Sequence, residues 1–69
     1  MGNTFSQQLH SLRIEAGLTR AQLAEQLHVS VRLISYWENG QRECDFDTLM
    51  KIADLFSVSV DYILGGKEF

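Results

Sequence analysis

The chain has 69 residues, a net charge of −3, one cysteine and no proline. A chain of this length buries about 60% of the surface that it exposes when unfolded, so it has room for one small core. The sequence therefore predicts a single domain over residues 1–69, and its ordinary balance of apolar and charged residues excludes a disordered or low-complexity chain.

The sequence also lacks the signals of export and of membrane insertion. No apolar stretch approaches the roughly 20 residues that span a bilayer, and no basic segment followed by an apolar run opens the chain. Cys44 has no second cysteine with which to form an internal disulfide. We therefore expect a cytoplasmic protein that makes no membrane contact.

Apolar residues recur at helical spacing from the start of the chain, which predicts a first helix over about residues 4–16. The stripe consists of Phe5, Leu9, Leu12 and Ala16. Thr19 and Gln22 have the spacing of a capping box, so a second helix begins at residue 20. A short interruption ends at Ser30, which caps a third helix over about residues 31–39.

Two further caps delimit the rest of the chain. Asp45 precedes a fourth apolar stripe, which consists of Phe46, Leu49, Ile52, Ala53 and Phe56. Ser59 caps a last short helix that ends at Gly65 and Gly66. No stretch of strand length alternates between apolar and polar residues. The sequence thus predicts an all-α fold of five short helices.

The second and third predicted helices are joined by a turn of about three residues. This is the arrangement of a helix-turn-helix, here over about residues 20–39, whose second helix enters the major groove of DNA. At about 100° per residue, Arg32 and Tyr36 lie opposite Ile34 and should face outward. The amino-terminal end of this helix, at Ser30, is the end expected to contact DNA.

The charges are unevenly distributed along the chain. Residues 1–42 carry four Arg against three Glu, whereas residues 43–69 carry two Lys against six acidic residues. When the net charges of two halves of a chain have opposite signs, the positive half is a candidate for binding a polyanion. A net charge of −3 disfavours DNA binding, because neutralisation of phosphates supplies much of the affinity for DNA. The excess of Arg in the first half partly offsets this disadvantage.

Several segments of the chain together form a specific pattern. They are residues 18–24, 29–30, 34–40, 48–49 and 58–66, together with Arg42. This pattern resembles the phage-repressor and Cro-like helix-turn-helix family, also called the xenobiotic-response-element family, over about residues 5–66. The resemblance implies a lambda-repressor-like domain of five helices that binds double-stranded DNA as a homodimer, with half-sites about 34 Å apart.

The resemblance also implies residue roles. It assigns phosphate contacts to Arg20, Ser30, Asn39 and Arg42, and base contacts to Val31, Arg32 and Tyr36. Arg20 stands where the family usually has Gln, and Arg32 has the donors to bind guanine O6 and N7 together. Arg13 and Glu38 match a partly buried ion pair between the first and third helices. His28 stands where the family commonly has Gly, which implies a positive φ at a non-glycine residue.

The apolar residues near the carboxyl terminus exceed what so short a chain can bury, which suggests a two-fold dimer contact. They are Val60, Tyr62, Ile63, Leu64 and Phe69. We expect a sequence-specific transcriptional regulator, a repressor that binds a palindromic operator. The alternative is a protein-interaction module of the antitoxin type, in which Val31, Leu33 and Tyr36 bind a partner.

Enzymatic and ligand-binding functions have little support in the sequence. The carboxylates look like helix caps and a solvated face, so no catalytic set is visible and we expect no enzyme. His10 and His28 are too far apart, and have no cysteine at metal spacing, for a zinc site. We expect no cofactor and no small-molecule substrate. Cys44 would act as a redox sensor only if Arg42 lowered its thiol pKa, and an inert small residue is the simpler interpretation.

Overall fold

The computed structural model describes residues 4–65, and within this range the chain forms five helices and no strand. The helices are α1 (Thr4–Glu15), α2 (Arg20–Leu27), α3 (Val31–Glu38), α4 (Phe46–Phe56) and α5 (Val60–Ile63). The predicted all-α fold is therefore confirmed. Gly66 and Phe69, which entered the sequence predictions, lie outside the described residues.

Each predicted cap is present at the start of its helix. The Thr19 hydroxyl accepts the N–H of Gln22 at 3.1 Å, while the Gln22 amide oxygen accepts the N–H of Thr19 at 2.8 Å. Ser30, Asp45 and Ser59 each accept the backbone N–H three residues further on, at 3.0–3.1 Å. These bonds satisfy amide donors that a helix leaves without partners in its first turn, so the polar residues between the helices set where each helix begins.

Two helices end one residue earlier than the apolar pattern predicts. After α1, Gly17 takes a φ of +74° and the N–H of Leu18 bonds to the carbonyl of Arg13, which reverses the chain behind Glu15. After α3, Asn39 is the cap residue and Gly40 has a φ of +76°. The apolar pattern shows that these segments are helical, whereas the glycine in the left-handed conformation determines the residue at which each helix ends.

All five helices contribute side chains to one apolar core. Five of these are fully buried, namely Leu9, Leu23, Ile34, Ile52 and Ile63. Phe5 of α1 and Trp37 of α3 meet edge to face, with ring centroids 6.3 Å apart. Fully burying a side chain of this size stabilises the fold by about 1.5–3 kcal/mol. The core thus holds α3 by its inner face.

Two residues of the predicted apolar stripes are exposed to solvent. Ala16 follows the end of α1, and Phe46 is the first residue of α4 and is 63% exposed. Helical spacing determines which residues share a face of a helix, but not how much of that face the neighbouring helices cover. The core-facing part of α4 begins at Leu49, which is buried.

The turn between α2 and α3 contains the predicted left-handed residue. His28 has a φ of 58° and a ψ of 44°, and its N–H bonds to the carbonyls that end α2. Ser57 takes the same conformation at the end of α4. Within residues 4–65 no helix has the length and apolar character that crossing a membrane requires.

Candidate nucleic-acid interface

The inner face of α3 is buried and its outer face is free. Ile34 and Trp37 are buried in the core, and Leu33 is half-buried and packs against it. Because side chains lie about 100° apart around a helix, Arg32 and Tyr36 fall on the opposite side. Arg32 is exposed and Tyr36 half-buried. The outward orientation inferred from the sequence is therefore the one that the burial pattern requires.

The amino-terminal end of α3 is open to solvent. The Ser30 hydroxyl accepts the N–H of Leu33 and the Ser30 carbonyl accepts the N–H of Ile34, so the N–H groups of Val31 and Arg32 have no acceptor within the helix. Val31 and Arg32 are both exposed. Free N–H groups, the positive end of the helix dipole and a guanidinium together favour an anionic ligand.

At the other end of α3 the chain turns back on the helix. The N–H of Gly40 bonds to the carbonyl of Trp37 at 3.2 Å, and the N–H of Gln41 bonds to the carbonyl of Tyr36 at 2.9 Å. This pair of bonds is a Schellman motif. It brings the guanidinium carbon of Arg42 to 5.4 Å from the centroid of the Tyr36 ring. Both residues are predicted DNA contacts, but nothing in the sequence predicts that they contact each other.

The predicted ion pair between α1 and α3 is confirmed, and it is bidentate. Arg13 donates from Nε to Glu38 Oε2 at 2.6 Å and from Nη2 to Oε1 at 3.1 Å, while its Nη1 donates to the carbonyl of Leu18 at 2.9 Å. The side chains of Arg13 and Glu38 are only 9% and 1% exposed. Parallel bonds of this kind fix geometry as well as energy. They tie α3 to α1.

The carboxylate of Glu38 has two further basic neighbours that the sequence analysis did not find. The Nε of Arg20, at the start of α2, donates to Oε1 at 3.2 Å, and the Nδ1 of His10 lies 3.1 Å from the same oxygen. Three basic side chains from α1 and α2 therefore meet at the carboxylate of Glu38 on α3, and we call these four residues the Glu38 cluster. Helical spacing gives which face a residue occupies, but not which residues of different helices meet.

Arg20 consequently has two possible partners. Its side chain is 41% exposed although its Nε is bonded to Glu38. A guanidinium has five N–H donors, so the outer edge of Arg20 is available for a phosphate while Nε stays bound. Its predicted role as a phosphate contact remains a prediction that this geometry permits.

The Glu38 cluster keeps its carboxylate ionised. Burial alone would raise the pKa of Glu38, but hydrogen bonds from Arg13, His10 and Arg20, together with the charge of Arg13, outweigh burial and hold the pKa below its ordinary value of 4.5. The stability that the ionised carboxylate provides is therefore fully present above pH 4.5 and is lost as the pH falls through the lowered pKa.

We expect this titration to shape the acid unfolding of the protein. Glu38→Gln should flatten the fall in the free energy of unfolding below pH 4.5, because the amide cannot take up the proton. Urea unfolding at a series of pH values measures the slope. Asp45→Asn is the matched control, since hydrogen bonds from Thr48 also lower the pKa of that carboxyl but Asn preserves the cap. If only the control flattened the slope, the acid sensitivity would belong to the α4 cap.

Cys44 does not meet the condition set for a redox sensor. Burial raises the pKa of its thiol to about 11, and the neighbouring Asp45 and Glu43 act in the same direction. The thiol is therefore protonated and a poor nucleophile at neutral pH. Among residues 4–65, no three side chains of His, Cys, Asp and Glu are grouped as a metal site would need.

The residues with predicted DNA contacts lie at the start of α2, along the outer side of α3 and in the loop after it. None of the seven is fully buried; they are Arg20, Ser30, Val31, Arg32, Tyr36, Asn39 and Arg42. Ser35 is half-buried on the same side of α3, at about 100° from Ile34, and belongs with this surface. The same helical spacing that places Tyr36 on this side also places Ser35 there.

Sequence comparison identifies relatives of this chain. A helix-turn-helix family model matches residues 9–63. The chain is 44% identical over 64 residues to the HTH-type transcriptional activator BcrR of Enterococcus faecalis, covering 93% of this chain and 31% of BcrR. It is 37% identical over 65 residues to the HTH-type transcriptional regulator ImmR of Bacillus subtilis, covering 94% of this chain and 51% of ImmR. The chain thus spans about a third of BcrR and about half of ImmR.

Solved structures share the fold. A transcriptional regulator from Listeria innocua superposes with a TM-score of 0.85 at 32% identity, over 94% of this chain and 61% of that one. Hydroxypropylphosphonic acid epoxidase from S. wedmorenis superposes with a TM-score of 0.82 at 25% identity, over 90% of this chain but 33% of the enzyme. The five-helix unit therefore also occurs as part of a larger enzyme. With a family match over residues 9–63 and the α2–turn–α3 geometry in place, the chain belongs to the Cro-like, xenobiotic-response-element type of helix-turn-helix family.

Proposed function

We propose that this chain binds double-stranded DNA in a sequence-specific manner and regulates transcription, with α3 in the major groove. The observation that carries the proposal is the division of α3 into a buried inner face and a free outer face with an open amino-terminal end. A recognition helix needs this arrangement, because base edges can be read only by side chains that the protein itself does not cover.

The proposed contacts fall into two kinds. Val31 and Arg32 face the bases: Arg32 supplies paired donors for guanine, and Val31 an apolar contact for a thymine methyl group, while Tyr36 lies beside them on the outer side of α3. The phosphate contacts are Arg20, Ser30, Asn39 and Arg42, which flank α3 at both ends. Phosphate contacts set the register of the helix in the groove, while base contacts select the sequence.

The acidic net charge is compatible with DNA because of where the charges lie. Arg20, Arg32 and Arg42 all lie on α2, on α3 or in the following loop. Of the six acidic residues of the second half, Glu43 and Asp45 lie in that loop and Asp47, Asp54 and Asp61 on the next two helices, while Glu68 lies outside the described residues. At physiological salt a charge acts over the Debye length of about 8 Å. A phosphate is therefore attracted by the charges close to it and not by the net charge of the chain.

We further propose a homodimer that represses transcription from a palindromic operator. Of the apolar residues near the carboxyl terminus, Ile63 is fully buried and Val60 and Tyr62 are half-buried, so Leu64 is the one that the described residues leave exposed. Phe46 and Met50 are exposed on α4. A second copy related by a two-fold axis would cover such residues and place two recognition helices on successive half-sites. Occupancy of a promoter would block the polymerase. BcrR is named an activator, so the direction of regulation is part of the test.

Selection of bound sequences from a random DNA pool, followed by gel shifts at two salt concentrations, tests the DNA-binding proposal. We expect enrichment of a palindrome and weaker binding at high salt. Sedimentation with and without that DNA gives the oligomeric state, and a reporter behind the selected site gives the direction of regulation. A strict monomer in both conditions would contradict the homodimer, and increased reporter expression would contradict repression.

Failure of the chain to retain any DNA would instead support the alternative of a partner-binding module. That alternative relied on an apolar patch of Val31, Leu33 and Tyr36. Leu33 packs against the core, which interrupts the patch. The DNA-binding proposal therefore accounts better for the exposed guanidinium groups beside the two remaining residues.

Arg20 provides a separate test of the phosphate contacts. Arg20→Gln should weaken binding to specific and random DNA alike and reduce the salt dependence of log K by about 1, because one charged phosphate contact is lost. Gln is the residue usual in the family and retains a neutral donor. Binding constants across a salt series measure the slope, and thermal melting controls for the lost bond to Glu38. An unchanged slope would mean that Arg20 serves only the Glu38 cluster.

A further inference from the structure

We infer that Tyr36 is a positioning residue for Arg42: its ring holds the Arg42 guanidinium in place for a phosphate contact beside the carboxyl-terminal end of α3. This inference rests on the proposed function and names how one part of the interface is assembled. It changes the role of Tyr36, which the family resemblance assigns to the bases.

The backbone brings the two residues together. Gly40, with a φ of +76°, and the bonds from Gly40 and Gln41 back to the last turn of α3 reverse the chain. The acceptor of the second bond is the carbonyl of Tyr36 itself, at 2.9 Å from the nitrogen of Gln41. Arg42 follows directly after Gln41, so the turn brings its backbone back beside Tyr36.

The contact has the geometry of a cation–π interaction. The guanidinium carbon lies 5.4 Å from the ring centroid, inside the limit of about 6 Å for a favourable contact. Tyr36 is half-buried, which limits the motion of the ring, whereas Arg42 is exposed. A fixed ring under an otherwise mobile guanidinium reduces the freedom that Arg42 would lose on binding DNA.

The kind of partner determines what Arg42 can still do. A carboxylate partner would occupy the N–H donors of the guanidinium, whereas an aromatic ring attracts its charge and leaves those donors for a phosphate. Within residues 4–65 Arg42 makes no ion pair, although Glu43 adjoins it in sequence. The carboxylate of Asp45 accepts the N–H of Thr48 as the α4 cap. Arg42 is thus held in place with its donors available.

A double-mutant cycle on DNA binding tests the inference. It uses Tyr36→Leu, Arg42→Ala and the double variant, with Tyr36→Phe as the matched control that keeps the ring. Tyr36→Phe should bind within about twofold of the wild type, and Tyr36→Leu should weaken binding about two- to fivefold, as expected for an exposed cation–π contact. In the Arg42→Ala background, Tyr36→Leu should have no further effect.

Two additional measurements separate positioning from base reading and from a folding defect. The DNA sequence selected by Tyr36→Leu should match that of the wild type, because a phosphate contact carries no base preference. In the free protein, the δ protons of Arg42 should show an upfield ring-current shift in NMR spectra, which Tyr36→Phe preserves and Tyr36→Leu removes. This readout does not depend on DNA, and the dispersion of the core methyl signals in the same spectra shows whether each variant is folded.

The outcomes distinguish the inference from the proposed function. Equal losses from Tyr36→Leu with and without Arg42, or a changed base preference, would overturn the positioning role while DNA binding stands. Absence of the ring-current shift in the wild type would overturn the contact itself. A wild type that retains no DNA at low salt would remove both the proposed function and the phosphate role of Arg42, even with the ring-current shift present.

Discussion

Replacing Arg13 with Ala is expected to lower the free energy of unfolding by about 3–5 kcal/mol, the cost of leaving one partner of a buried ion pair alone. The carboxylate of Glu38 is 1% exposed, so water cannot replace the two bonds that Arg13 donates. Arg20 and His10 stay near that carboxylate, which places the expected loss toward the lower end of the range. Urea unfolding followed by circular dichroism measures it.

Two further variants make this expectation specific. Arg13→Lys retains the charge but not the fork of donors, so it should recover only part of the stability. Arg32→Ala removes an exposed guanidinium from α3 and should change stability by less than about 0.5 kcal/mol. If Arg13→Ala and Arg32→Ala had equally small effects, the Glu38 cluster would not be the link that holds α1 to α3.

The same Arg32→Ala variant is expected to have the largest effect on sequence-specific binding. Loss of a bidentate contact to guanine should cost about 1–3 kcal/mol on the selected operator and relax the preference at one base pair per half-site. On random DNA the loss should be limited to the electrostatic share of the binding energy. Gel shifts on the operator and on a shuffled sequence, at one salt concentration, measure the difference.

Arg20→Gln is the matched comparison for this second experiment, since it also removes one guanidinium but near the phosphates. It should weaken both DNA sequences to the same extent. Parallel losses for Arg32→Ala on operator and shuffled DNA would mean that Arg32 contacts phosphate, and base selection would then have to come from Val31 and other outer residues of α3.

Local features of the fold could be predicted from the sequence because they depend on neighbouring residues. The capping box of Thr19 and Gln22 and the caps at Ser30 and Asp45 each involve atoms three residues apart. The side of α3 that carries Arg32 follows from helical spacing in the same way. Such features need no knowledge of the rest of the molecule.

Features that depend on contacts between distant segments could not be predicted in this way. Periodicity included Phe46 in the apolar stripe of the fourth helix, but its side chain is 63% exposed. Arg20 was assigned to DNA without its bond to Glu38, which lies 18 residues away. The family resemblance supplied the pair of Arg13 and Glu38, because that contact is typical of the family. The addition of His10 and Arg20 required coordinates.

The convergence of three helices on Glu38 has a consequence for how the protein docks. Glu38 is the last residue of α3, Arg13 belongs to α1 and Arg20 to α2. Their ion pairs therefore fix the rotation of α3 about its own axis before the protein binds DNA. A helix whose rotation is fixed holds the backbone of Arg32 at one angle to the bases. A substitution at position 13, far from the groove, should therefore reduce base discrimination although residue 13 contacts no nucleotide.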